Sequence, residues 1–234
     1  MSLKQYSINN EPTNCYVITI ETNSESIKAS ERCISSANQF GLDTEIFNAY
    51  TPRHDPLKIL EGNGINTKGF HRPSHNSYID AAAGCFLSHF TLWKKCIEIN
   101  KLIIIFEHDA IIINEIPFNI LDGIGFDKLI NLGEPFDGSI KTPKFIGVGL
   151  LQSSNKLYGS HAYAVKPAGA LELINKAKTH ANPVDLFLNI FDFPFLEELY
   201  PWPVITELKF STIQTNRNAV ATNIQLDEYG KARE

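Results

Sequence analysis

Cys15-Tyr-Val-Ile-Thr-Ile20, the polar Glu21 to Ser26, a segment with Ile27, Ile34, Ala37 and Phe40 at near-helical spacing, then Gly41 and Thr44-Glu-Ile-Phe47: this opening decides the fold class. A short β-branched run, a polar loop, an amphipathic segment and a second apolar run predict strand, helix and strand in that order. Gly41 falls where a left-handed residue commonly closes a helix. A βαβ opening points to an α/β fold, with a mostly parallel sheet covered by helices.

Downstream, Tyr50 to Ile79 loses periodicity and collects prolines, glycines and histidines, which predicts a long loop of the binding-loop or lid type. Ala81 to Asn100 carries Cys85, His89, Leu92, Trp93, Cys96 and Ile97 on one broad face and reads as an amphipathic helix. Leu102-Ile-Ile-Ile-Phe106 is short and β-branched, a buried strand. Strands are also expected within 128–132, 144–151 and 162–165, and after Pro201-Trp-Pro203. Pro167 suits the first turn of a helix whose apolar positions are Leu171, Leu173, Ile174 and Ala177, and a further helix starts near Val184. Residues 214–234 form a polar tail.

The 234 residues are read as one domain, 1–234, long enough for a well-buried core. Hydrophobic residues at 43% and charged residues at 20% fit a globular chain and argue against a disordered or fibrous one. A net charge of -5 offers no attraction to nucleic acid or to an anionic membrane, so neither is expected as a partner. Cys15, Cys33, Cys85 and Cys96 show no CxxC spacing, and reduced thiols are expected. The first twelve residues lack the apolar run of a signal peptide, and no stretch approaches the ~20 apolar residues of a membrane span. A cytoplasmic enzyme is the simplest expectation, its oligomeric state left open.

Glu107-His108-Asp109 interrupts an apolar stretch at the end of the Leu102–Phe106 strand. Burying unpaired carboxylates is costly, so the placement calls for a chemical reason. At the end of a central strand, two acids on one side by the period of two would offer hard oxygen ligands to Mg²⁺ or Mn²⁺, a cation that bridges diphosphate oxygens. The alternative is a turn with solvated carboxylates. Ser88 and His89 point about 100° apart on a helix and do not form a nucleophile–base pair. Cys85 and His89, at i and i+4, suit zinc, but no further Cys/His pair is close in sequence, and core packing is the stronger reading.

The series Gly84-Cys85-Phe-Leu-Ser88-His89, Glu107-His-Asp109, Gly159-Ser-His161-Ala-Tyr163, Pro167-x-Gly169-Ala170 and Pro183-Val-Asp185 resembles glycosyltransferase family 25, the lipooligosaccharide and collagen galactosyltransferase family. The resemblance runs in order from about residue 13 to 213. It implies a GT-A-like fold, a UDP-sugar donor, Mn²⁺ (or Mg²⁺), a glycan or glycosylated acceptor, and transfer of galactose or glucose with inversion. Glu107 and Asp109 match the outer acids of the family's Glu-Asp-Asp, while His108 replaces the middle one.

Carried over in the same way, Glu107, Asp109 and Arg32 are implied to bind the nucleotide sugar, Asp109 and His161 the metal, and Asp185 to act as general base. Each has an ordinary alternative: a surface ion pair for Arg32, a hydrogen-bonded histidine beneath the site for His161, and a helix-N-terminal acid for Asp185. An acid expected after Phe47-Asn-Ala49 is replaced by Tyr50 and Thr51. The rival functions are a non-catalytic nucleotide-sugar or glycan-binding member of the same fold and a metal-dependent nucleotidyltransferase.

Overall fold

The first two strands and the helix between them form as the opening stretch predicts. In the computed structural model, which describes residues 14–71, 78–135 and 140–206, β1 (Cys15–Thr19), α1 (Ser24–Gln39) and β2 (Thr44–Asn48) make a right-sized crossover, and β1 pairs with β2 in parallel. The first twelve residues, read above for a leader, and the tail at 214–234 lie outside the described residues.

Asn23 caps α1, its Oδ1 accepting from the amides of Glu25 and Ser26. At the other end Gly41 takes φ +75°, and the amides of Gly41 and Leu42 donate to the carbonyls of Asn38 and Ala37, a Schellman closure. The buried face of α1 is small: Ser26, Ala29, Ser30, Cys33, Ser36 and Ala37. Ile27 is exposed instead of serving the core. Small residues allow close approach, and their hydroxyls find partners: Thr19 Oγ1 and Ser30 Oγ are 2.7 Å apart, and the Ile112 amide donates to Ser36 Oγ at 3.0 Å.

The long loop expected from Tyr50 to Ile79 is largely ordered structure. A 3₁₀ turn at Pro52–His54, the helix α2 (Pro56–Gly62) and a second 3₁₀ turn at Thr67–Phe70 fill it, with 72–77 outside the described residues. Pro56 stands in the first turn of α2, where its missing N–H costs nothing, so proline here starts a helix instead of marking a loop. Leu60, Ile65 and Phe70 anchor the segment to the core. Elements this short carry too few turns to show a period.

The chain continues through α3 (Ile79–Ile99), β3 (Ile103–Glu107), β4 (Ala110–Ile112), α4 (Phe118–Leu121), β5 (Leu129–Asn131), β6 (Gly147–Leu150), β7 (Ala162–Val165), α5 (Pro167–His180), α6 (Val184–Phe187), β8 (Leu196–Tyr200) and β9 (Val204–Thr206). Seven strands form one sheet in the order β2-β1-β3-β7-β5-β8-β6, and β4 pairs with β9 in a second, two-stranded sheet. β2, β1, β3, β5 and β8 share a direction, whereas β7 and β6 run against it, so the main sheet is mixed.

Alternation along β3 divides the core in two. Ile103 and Ile105 join Tyr163, Val165 and the apolar residues of α3 and α5 in one cluster, while Ile104 and Phe106 join Ala162, Ala164, Cys33 and Ala37 in the other. β8 has no counterpart among the expected strands because Leu196-Glu-Glu-Leu-Tyr200 shows adjacent acids. Glu198 is fully buried, accepting from the amides of Gln152 at 2.7 Å and Ser153 at 2.9 Å. Leu171 of α5, counted as apolar-face, is half exposed. Among the described residues no helix is long and apolar enough to cross a membrane.

Candidate active site

The parallel strands β1, β2 and β3 end together, and a cleft of about 380 Å³ opens beyond their carboxyl ends. Open α/β sheets bind ligands at this edge. Thr22 and Asn23 from the loop before α1, Tyr50, Thr51 and Pro52 after β2, and Glu107 and His108 at the end of β3 line it, with Cys85 and Ser88 of α3 along one side.

Four residues of α3, Gly84, Cys85, Ser88 and His89, each have a distinct task there. A Cβ on Gly84 would lie 2.6 Å from the Tyr50 carbonyl oxygen, so the helix touches the chain leaving β2 only because position 84 has no side chain. One turn later, Ser88 Oγ accepts from the Tyr50 amide at 2.9 Å and donates to the Gly84 carbonyl at 2.9 Å. These contacts fix the Tyr50 wall. Cys85 Sγ donates to Glu107 Oε1 at 3.8 Å, and His89 Nε2 faces the same oxygen at 3.3 Å.

Behind His89 the polar chain continues into the core. Trp93 Nε1 donates to Tyr163 Oη at 2.8 Å, and Tyr163 Oη lies 2.8 Å from His89 Nδ1. An indole N–H only donates and an ionised carboxylate only accepts. With His89 as a neutral imidazole, the protons point one way, from Trp93 to Tyr163, from Tyr163 to His89 Nδ1 and from His89 Nε2 to Glu107. Burial pushes the Glu107 carboxyl up, but the His89 hydrogen bond and the surrounding imidazoles of His89, His108 and His161 hold it below its ordinary value. Glu107 is the anion at the cleft floor.

Asp109 is differently placed. β3 ends at Glu107, and His108 and Asp109 form a turn before β4, so the period of two that would put both acids on one side stops before it reaches Asp109. Asp109 is buried, its Oδ1 without a hydrogen-bond partner. Burial and then the negative charge of Glu107 push it up to about 6. The two acids thus feel one another although the local geometry differs from a continuous strand.

His161 immediately precedes β7, and its carbonyl accepts from the Glu107 amide at 2.9 Å. Its ring is packed so closely over Gly133 that a Cβ there would collide with it. Burial lowers His161 to about 4, so the ring is neutral. Asp185, in the first turn of α6, is far away in sequence yet electrostatically adjacent to both Glu107 and Cys85. Burial, followed by Glu107, raises its carboxyl, and the amides of the first turn only partly offset this. Arg32 sits in the middle of α1, next to Cys33, and is not among the residues lining the cleft.

Of the residues expected from sequence, Asp109, His161 and Asp185 lie within electrostatic reach of Glu107. Among the described residues, the group whose three potential metal-ligand atoms lie within 4.8 Å of one another is Cys85, His89 and Glu107, without Asp109 or His161. Sequence reading placed Tyr50 and Thr51 at the start of a binding-type loop without assigning them a contact, and it missed the buried Tyr163 link. Tyr163 stood inside a quoted motif, but its partner lies 74 positions away in the chain.

Comparison with known proteins adds an independent line. No curated protein matches this chain. The crystal structure of A197 from STIV is similar over 81% of this chain and 82% of that one, at 12% identity and a TM-score of 0.40, a likeness too distant to bear on fold or function. The model for glycosyltransferase family 25 (LPS biosynthesis protein) matches residues 13–134, just over half of the 234 residues. That span includes the cleft-lining ends of β1, β2 and β3, the Gly84–His89 turn of α3 and the Glu107–Asp109 corner, and the chain belongs to glycosyltransferase family 25.

Proposed function

We propose that the cleft binds a UDP-sugar and that the protein transfers its hexosyl group, galactose or glucose, to a hydroxyl of a glycan or glycosylated acceptor, with inversion, on a GT-A-like scaffold. The observation that carries this reading is the acid centre at the carboxyl edge of the sheet. Glu107 is held anionic by a directed hydrogen-bond chain, Asp109 keeps an unpartnered buried oxygen, and Asp185 stands beside them as a carboxylate of raised basicity.

The donor set suits a hard divalent cation, because the unpartnered Asp109 Oδ1 and the ionised Glu107 both offer oxygen. Glu107 and Asp109 would hold Mn²⁺ or Mg²⁺, with the neutral His161 as the nitrogen donor of the set. When bound, the cation neutralises charge on the diphosphate. His108, in place of a third acid, leaves the centre less negative and more dependent on the diphosphate to complete it.

Asp185 accepts the proton of the acceptor hydroxyl as that oxygen attacks the anomeric carbon. The bond from the anomeric carbon to the diphosphate breaks, and its electron pair leaves with UDP. Burial raises the proton affinity of Asp185, which favours the base role over that of a simple helix-terminal acid. Tyr50 and Thr51, at the cleft wall, are the proposed contacts to the nucleotide, and Arg32 of α1 stands outside the cleft lining.

Incubation of the full chain with UDP-galactose or UDP-glucose, with Mn²⁺ or with EDTA, tests the reading through UDP release. Metal-dependent release is expected from at least one donor. Binding without release, in the presence of glycan acceptors, supports a non-catalytic member of the family, and pyrophosphate release from UTP supports nucleotidyl transfer.

A further inference from the structure

Cys85 Sγ, His89 Nε2 and a Glu107 carboxylate oxygen form a compact set on the cleft side of α3. Sγ lies 3.8 Å and Nε2 lies 3.3 Å from the same Oε1, and all three atoms fall within 4.8 Å of one another. Around a tetrahedral zinc, with bonds of ~2.3 Å to sulfur and ~2.1 Å to nitrogen and oxygen, the S–O and N–O edges are about 3.6 and 3.4 Å. Both edges to the Glu107 oxygen already match a ligand set, and the third, between sulfur and nitrogen, is at most 4.8 Å.

We propose that this triad binds a thiophilic divalent cation of the zinc class, with Cys85, His89 and Glu107 as ligands and the fourth position open to the cleft that Cys85 and Glu107 line. A helix alone supplies the first two ligands at i and i+4. The third comes from β3, because Ile103 and Ile105 on the same face of that strand are packed in the cluster that holds α3.

Binding exchanges protons for metal. Without it, Cys85 S–H and His89 Nε2–H both donate to Glu107 Oε1. On binding, the thiol proton leaves to solvent and sulfur gives its electron pair to the cation. The imidazole proton moves from Nε2 to Nδ1, which then donates a hydrogen bond to the second lone pair of Tyr163 Oη, while the Tyr163 hydroxyl keeps its own hydrogen and turns it away from His89. One proton is released per ion, and the set changes from one net negative charge to neutral. The soft sulfur selects zinc or cadmium over Mn²⁺ and Mg²⁺.

The functional consequence rests on the transfer reading: Glu107 would be withdrawn from the nucleotide-sugar centre, and zinc would inhibit transfer. The site itself is tested without nucleotide. Cd²⁺ titrated into the metal-free full chain should give a thiolate-to-cadmium charge-transfer absorption that saturates near one equivalent, with release of about one proton per ion. Cys85→Ser should abolish the band. Glu107→Gln keeps the sulfur and should weaken Cd²⁺ binding by roughly 100-fold or more, since loss even of an outer partner of a metal ligand costs about 10–100-fold.

No absorption in the wild-type chain overturns the site, as does a band that survives Cys85→Ser, which would come from Cys15, Cys33 or Cys96. Undiminished Cd²⁺ binding in Glu107→Gln overturns it as well, even if Cys85→Ser fails to fold. A missing band leaves donor-dependent UDP release untouched, and absent UDP release leaves the band untouched.

Discussion

Asp109 stores an electrostatic cost, set by burial and by the charge of Glu107. In the metal-free protein its carboxyl is pushed up to about 6, so the folded state keeps a proton that the unfolded state gives up near its ordinary 3.8. Its contribution to stability is therefore lost as pH rises from about 4 to 6. His161, lowered to about 4, works oppositely: the unfolded chain takes up a proton near 6.5, and stability is lost as pH falls below that. Asp109→Asn is expected to remove most metal-dependent UDP release, yet to stabilise the metal-free fold at pH 7 by on the order of 1–3 kcal/mol. Without the opposing group, the variant should lose stability more steeply between pH 6 and 4. Urea unfolding across pH in EDTA, beside UDP release, measures both, and wild-type turnover in the variant would remove Asp109 from the metal centre. For Asp185→Asn, a base role predicts a transfer rate roughly 10²- to 10⁴-fold lower at nearly unchanged donor affinity. A helix-terminal role predicts near-normal turnover, because Asp185 stands in the first turn of α6 after its Pro183 cap, and the lost charge costs only about 0.3–1 kcal/mol. Single-turnover transfer at saturating donor and acceptor separates them.

α3 is the element on which site and core meet. Its Phe86 makes edge contacts with Phe70, Trp93 and Phe187, and it is fully buried. Phe86→Ala should cost about 3–5 kcal/mol in denaturant unfolding, the range for deleting a large core ring. Gly84 is the opposite case. In a helix interior alanine is favoured over glycine by about 1 kcal/mol, but here the added methyl meets the Tyr50 backbone, which has no rotamer to swing aside. Gly84→Ala is expected to displace the Tyr50 wall and weaken UDP binding about tenfold or more, an effect calorimetry reads directly. Wild-type affinity together with a raised melting temperature would mean that the wall is not a nucleotide contact.

Across the whole molecule, three chain segments converge where β1, β2 and β3 end, and Glu107 there lines a cleft on a protein of net charge -5. If the cleft binds a nucleotide sugar as proposed, the diphosphate would meet Glu107 as a like charge, with Asp109 buried behind it, unless a cation lies between them. UDP affinity should therefore fall at least about tenfold when Mn²⁺ is replaced by EDTA, and by linkage UDP should tighten Mn²⁺ binding by the same factor. Equal UDP affinity in both conditions would place the diphosphate away from the acids.

Residues 15–47 determined the strand–helix–strand opening locally, because β-branched runs, an Asn cap and a glycine closure act within a few residues of one another. The Glu107 corner was likewise legible, since charge inside an apolar run demands a reason. Tertiary structure decided what local patterns cannot encode. The reversal of β7 depends on which strand edge is free when Ala162–Val165 arrives, and the strand character of Leu196–Tyr200 depends on backbone amides that satisfy Glu198. Whether Asp109 shares a side with Glu107 depends on a turn that ends the alternation. The Trp93–Tyr163–His89–Glu107 chain joins residues whose separation in sequence carries no signal, and only the packing of α3 across β3 and β7 brings their polar atoms within hydrogen-bond reach.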